Sequence, residues 1–414
     1  MCSNNVMDQL EKYNARYSIY EIRYKKYQQE EKESKIPFRV SKNPFLLPHE
    51  LKEEIMNLGI ILYSYFNAVI SLYNTDNTVK QILDNGKQKC FIGNIPQYLF
   101  LRPDLIITEQ GLKICELETS IFGLGLADIL NRSYIDSGYE TLVQKDDLKD
   151  YIQSVIPKEG IIAYSQRVKS FRGQLDYLAD HVFSGNNSAW KSRIIDANFN
   201  YVGNVYRAFY SSDGITEPEV NNLLNSNSNF IPSLTPQFEE KAILSFIWDK
   251  RYCEFFKKEL GEDKYEYLRK IIPPTFIVGQ EEYFENGLPG NVVNLMEIKE
   301  LPKGQRQFVI KKSSDSSWGE GIKFLHKLSH ENAEKALENA IESDESYIMQ
   351  QFFEGKKFPL EYCGGEMQAK IRITPYYAFW GQDVGKLVAI KATGCENMDY
   401  IHGASNSINT AVMA

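Results

Sequence analysis

The chain is poor in the residues that build metal centres and covalent staples. Its six cysteines, at 2, 90, 115, 253, 363 and 395, never fall into a CxxC spacing. No zinc knuckle or disulfide framework is therefore indicated, and reduced, mostly buried thiols are expected. The five histidines, at 49, 181, 326, 330 and 402, form no HExxH or related constellation, so each, His402 included, reads as a packing or polar residue. No Ser/His/Asp or Cys/His pattern offers a nucleophile. Excess positive charge is missing too: a net charge of -8 argues against nucleic acid or anionic lipid as the partner. Nor is there a long unbroken hydrophobic run. Residues 56–73 are the most apolar stretch, yet Asn57, Ser64, Asn67 and Ser71 interrupt it and the helix-opening PHELKEE precedes it, which predicts a core helix rather than a membrane span. The first eighteen residues hold no apolar core or cleavage site, so a cytoplasmic location is expected.

What is present is globular: 414 residues, 43% apolar and 13% aromatic, enough for two or three lobes with a substantial core. Residues 1–75 read as an N-terminal helical region. Within 76–236, YLFLRPDLIITEQGLKICELETS predicts a hairpin, with a strand around Leu105 to Ile107, a turn at Glu109-Gln110-Gly111 and a return strand 113–117. GIIAYS reads as a buried strand and SFRGQLDYLADHVF as the helix after it, an α/β crossover. The polar stretch 221–236 is the best internal boundary. Beyond it, 237–345 holds a helix expected over 238–260, the strand QFVIKK and a helix from 330 to 342, and 346–414 holds the strands of SYIMQQFFEG, MQAKIRITPYYAFW and GKLVAIKATG. There is no internal repeat, and the expected class is α+β.

The segment KKSSDSSWGEG, 311–321, follows an apolar strand with small residues and glycines. Such a stretch is either a fixed turn or a mobile loop whose N–H groups and neighbouring lysine hold phosphates. The rest of the chain favours phosphates. Lys311 and loop donors at Ser316, Ser317, Gly319 and Gly321 would neutralise a triphosphate, and the strand around Gln350, Gln351 and Phe352 would flank an adenine. Trp318 reads as an anchor of the loop. Arg372 lies among apolar strand residues and needs an anionic partner, such as a triphosphate or acyl phosphate. Asp104 with Glu116 and Glu118 offers hard oxygen ligands for Mg²⁺, and period-2 alternation puts Glu116 and Glu118 on one face. Ser120, Gly123 and Gly125 form either a strand-to-helix turn or a backbone platform for substrate.

These residues together resemble the ATP-grasp enzymes, and more closely the circularly permuted branch that includes the synthetase domain of glutathionylspermidine synthases. Arg102-Pro103-Asp104 with Glu116-Leu117-Glu118 is similar to that branch's metal-binding hairpin, which precedes the lysine-bearing lid as it does here. VYRAFY, FIWDKRYCEFF and IIPPTFIV extend the likeness over roughly residues 95–414. The resemblance implies two α+β lobes clasping ATP, with Lys250 as the first nucleotide lysine and Lys311 as the second. It implies Mg²⁺ on Asp104, Glu116 and Glu118, catalytic arginines at Arg102 and Arg372, and ligation of a small-molecule or peptide carboxylate to an amine, or less often a thiol. The sequence departs from the branch at Glu118, where the pattern has asparagine; the extra charge calls for a compensating cation, and Arg102 is nearest in the motif. A second metal placement, on Glu396, Asn406 and Asn409 near the C-terminus, stays open. So do two other functions, a nucleotide-binding regulatory protein without ligation and a phosphotransferase of similar fold.

Overall fold

A computed structural model describes residues 5–18, 39–87, 97–185, 188–210, 218–288, 292, 294–314, 321–362, 364–396 and 407–414. Its backbone is built around one long strand. Within Gly365–Ala378, residues 370–377 pair with antiparallel Leu387–Cys395. On its other edge the first half takes Lys357–Tyr362 and the second half Phe100–Thr108, which turns at Glu109-Gln110 into Gly111–Glu118. Ile408–Thr410 and Arg39–Val40 close the sheet at the far side.

The two faces of this sheet have different tasks because successive strand side chains point to opposite sides. Ile371, Ile373 and Tyr377, with Leu105 and Ile107, enter the core beneath the helix His49–Thr75. That helix carries Leu51, Ile55, Leu58, Leu62, Phe66 and Val69 at the three- and four-residue spacing of a buried stripe. Gly59 lets it approach: a Cβ there would lie 2.2 Å from the Gly385 carbonyl oxygen, closer than van der Waals contact allows. The helix is long and apolar enough to cross a membrane, and half of its most apolar window is buried inside the protein. On the opposite face Phe100, Tyr376 and Ala389 pack beneath the helix Leu124–Asp136, while farther along the same strands that face turns polar.

Two four-stranded sheets accompany the central one. Ala189–Ile194, Glu159–Tyr164, Asn204–Ala208 and Asn229–Ile231 lie side by side, all parallel, so part of the expected boundary at 221–236 is a strand of this sheet. Thr275–Ile277, Tyr347–Gln351, Phe308–Lys312 and Lys323–Phe324 form an antiparallel sheet, backed by His330–Ile341. The single helix expected over 238–260 is instead two short 3-10 turns, Pro236–Phe238 and Lys241–Trp248, followed by the α-helix Cys253–Leu260. Every residue from Ala242 to Trp248 is buried. A segment sealed on all sides answers to its surroundings rather than to a helical stripe.

Candidate functional site

The polar face of the central sheet is made by a change of phase in the hairpin. In Gly111–Glu118, Leu112 and Ile114 point into the core. Strict alternation would send Glu116 and Glu118 after them. A β-bulge at Cys115 prevents this: Leu105 faces Ile114, but Asp104 faces Glu116 and Arg102 faces Glu118. One extra residue therefore brings both glutamates beside Asp104 and Arg102. The bulge also presents the Cys115 carbonyl outward, where it accepts a hydrogen bond from Lys311 Nζ at 2.7 Å.

Basic side chains converge on these carboxylates from every neighbouring element. Arg372, on the central strand, donates from Nη1 to Asp104 Oδ2 at 3.2 Å, and Thr374 Oγ1 donates to Oδ1 at 3.3 Å. Arg102 contacts Glu118 through Nη2, and its Nη1 donates to the Phe122 carbonyl at 2.9 Å. Its Nε lies 3.6 Å from Asp104 Oδ1, too far for a hydrogen bond. The Nε–H groups of both Arg102 and Arg372 are buried without a partner among the described residues, which is costly unless a ligand supplies an acceptor. Lys241 Nζ sits 2.8 Å from Glu116 Oε1. Lys311, from the antiparallel sheet, also donates to Gln350 Oε1 at 2.8 Å, and Gln350 Nε2 in turn donates to Thr275 Oγ1 at 3.2 Å.

The charges perturb one another. Burial alone would raise the Glu116 carboxyl, but Lys241, with Arg102 and Lys311 beyond it, overrides burial and holds it at about 2. Glu118 goes the other way. Burial and the neighbouring Glu116 and Asp104 outweigh Arg102 and push it up to about 7, although a quarter of its side-chain surface is open. Burial lowers the Lys311 ammonium and raises the Cys115 thiol to about 12, so the thiol stays protonated and unreactive.

The structure brings together Arg102, Asp104, Glu116, Glu118, Lys311, Gln350 and Arg372 among the expected site residues. Gln351 is exposed at the end of its strand, and Phe352 packs against His326 with ring centroids 4.2 Å apart. Lys250 is elsewhere: it is exposed in a turn whose amide bonds the Tyr283 carbonyl. The lysine that reaches the hairpin is Lys241, nine residues earlier, because the expected helix is broken into 3-10 turns. Gly321 has a φ of +79°, whereas Ser316, Ser317, Trp318 and Gly319 lie outside the described residues, as do His402 and Asn406. Asn409 is buried two strands from Arg372, accepting from Thr393 Oγ1 at 3.0 Å, and Glu396 is exposed. Ser120 Oγ donates to Glu118 at 2.7 Å, Gly123 starts the helix Leu124–Asp136 in a left-handed conformation, and Gly125 lets that helix touch Gln174. Lys391, which the sequence did not single out, is buried opposite Thr374, with Nζ 3.1 Å from Thr393 Oγ1.

Among the described residues no group of three or more His, Cys, Asp or Glu side chains is clustered as a ready-made metal cage. The donor set nevertheless fits a hard divalent cation that completes its shell with phosphate oxygens, since Asp104 and Glu116 face each other in register and offer only oxygen.

No protein-family model matches the chain, and no curated protein matches it in sequence. Among solved structures, a glutathione synthetase-like effector from Globodera pallida, in its apo form, is similar over 99% of this chain and 96% of its own, with a TM-score of 0.51 and 12% identity. The fold is α+β and ATP-grasp-like. A D-cycloserine synthetase matches 61% of this chain and 90% of its own, with a TM-score of 0.30 and 11% identity.

Proposed function

We propose that the protein is an ATP- and Mg²⁺-dependent ligase that activates a carboxylate as its acyl phosphate and passes the acyl group to an amine. The observation that carries this reading is the convergence of Lys241, Lys311, Arg102 and Arg372 on the Asp104–Glu116 pair, with two buried guanidinium Nε–H groups that have no hydrogen-bond partner among the described residues. Such a surplus of fixed cations suits a polyanion whose charge shifts during reaction.

In this scheme Lys311 and Lys241 hold the nucleotide phosphates, and Gln350 fixes the Lys311 ammonium in place. Bound Mg²⁺, held by Asp104 and Glu116 with Glu118 beside them, would neutralise the phosphate oxygens. A substrate carboxylate oxygen attacks the γ-phosphorus and ADP departs. The amine nitrogen then attacks the acyl carbon, inorganic phosphate leaves with the bonding pair, and the amine loses a proton to solvent. Arg102 and Arg372 stabilise the transferring phosphoryl group through their vacant Nε donors. No protein nucleophile is required, in keeping with the absence of a nucleophile pattern.

The competing reading is a nucleotide-binding regulatory protein, favoured by one observation: each acidic residue of the hairpin is already engaged by a basic one. Phosphate release from ATP, assayed with pooled small carboxylates and amines and read by product mass, separates the two. A ligase gives Mg²⁺-dependent release that requires both additions and yields a condensed product. Nucleotide binding without release under any addition favours the regulatory reading.

A further inference from the structure

Resting on the nucleotide-site reading above, we infer that Lys241 is a stand-in cation: its ammonium occupies Glu116 while the site is without ligand and must leave before Glu116 can accept a metal. The 2.8 Å contact joins two largely enclosed side chains, 11% exposed for Lys241 and 23% for Glu116. A divalent ion approaching this carboxylate meets a fixed positive charge at contact distance. Metal binding without nucleotide is therefore opposed, and a phosphate chain that draws the ammonium away removes the opposition.

A second observation, independent of the ion pair, ties Lys241 to the end of the strand that carries Lys311. The Lys241 amide donates to the Ser313 carbonyl at 2.9 Å, and the next amide, Ala242, donates to Ser313 Oγ at 3.0 Å. Ser313 directly follows the strand Phe308–Lys312, and its own amide is fixed to the Ser346 carbonyl. One residue thus holds the carboxylate with its side chain and the end of the Lys311 strand with its backbone. Displacing the Lys241 side chain leaves this backbone anchor in place, so the exchange of partners happens at a fixed point. Arg372 on Asp104 and Arg102 on Glu118 repeat the ion pair, whereas Lys241 adds the backbone bond to Ser313. Coupling between metal and nucleotide then follows as a linkage: each lowers the cost of binding the other.

The test is Mn²⁺ binding, followed by the loss of the free-ion EPR signal at fixed pH, to wild type, Lys241→Met and Lys241→Gln, with and without a non-hydrolysable ATP analogue. Wild type should bind Mn²⁺ weakly alone and at least about tenfold more tightly with the analogue. Both variants should bind Mn²⁺ without nucleotide at least about tenfold more tightly than wild type, because removing one partner of an enclosed pair leaves the other uncompensated. They should bind the analogue more weakly. Unchanged or weaker nucleotide-free Mn²⁺ binding in a variant with a wild-type circular dichroism spectrum would overturn the inference. If neither variant folds, the wild-type titration still decides: equal Mn²⁺ affinity with and without analogue overturns it. Failure of the analogue to bind wild type sinks the nucleotide reading separately, while a gain of Mn²⁺ binding in the variants would still establish the stand-in role.

Discussion

Ile114 and Glu116 stand two residues apart on one strand and face opposite sides of the sheet, Ile114 in the core beside Leu105 and Glu116 across from Asp104. The bulge at Cys115 accommodates the residue that shifts the strand's phase, so that Glu116 and Glu118 stand across from Asp104 and Arg102. Deleting Cys115 should leave a regular ladder with Asp104 still opposite Glu116, but it removes the carbonyl that accepts from the buried Lys311 ammonium, at a cost of about 1–3 kcal/mol. Cys115→Ala keeps the residue count and should cost only about 1 kcal/mol. Urea denaturation of the two variants measures the contrast.

The contact between the long helix and the central sheet depends on Gly59. Because a Cβ there would meet the Gly385 carbonyl at 2.2 Å and the Tyr377 ring at 2.5 Å, Gly59→Ala should destabilise by roughly 1–3 kcal/mol through overpacking, despite alanine's better helix propensity. A denaturation midpoint that rises instead would show that the helix can shift outward without cost.

His181 supplies a pH dependence away from the site. Its ring stacks on Tyr177 at 5.0 Å and meets Tyr13 and Tyr17 edge-on. Burial, with Arg16 and Arg132, lowers its pKa below the ordinary 6.5, against the opposing pull of Asp180 and Asp128. The unfolded chain therefore takes up the proton more readily than the folded one, so the contribution is fully present above 6.5 and is lost as pH falls from there through the lower pKa of the folded state. Melting temperature should drop between pH 7.5 and 5.5 more steeply in wild type than in His181→Phe. Parallel profiles would contradict this.

Much of the frame was legible in sequence because it rests on local signals. The hairpin showed itself through alternating apolar residues around Glu109-Gln110-Gly111, and the long helix through its three- and four-residue spacing. The phase change at Cys115 was not legible, since a bulge is fixed by which neighbours each strand meets, although two apolar residues followed by two acidic ones at the same parity, Leu112, Ile114, Glu116 and Glu118, hint at it. Lys241 was hidden for a related reason. A helical reading of 238–260 favours Lys250, whereas the all-buried segment Ala242–Trp248 folds to fit its surroundings and leaves Lys241 at the hairpin. Lys391 gave no signal, because a lysine in a strand sequence looks the same facing water or a buried threonine.

The central claim is that Lys311, with the hairpin it bonds, belongs to a site for Mg²⁺-ATP, and the most direct measurement is thermal stability of wild type and Lys311→Met with ATP alone, with Mg²⁺-ATP and with neither. At a hundredfold excess over Kd, Mg²⁺-ATP should stabilise wild type by ~2.7 kcal/mol, and ATP alone by less. Lys311→Met should keep its fold, since methionine fills the space of a buried lysine without its desolvation cost, but should lose most of that ligand-dependent gain. Identical melting of wild type under all three conditions would contradict the account.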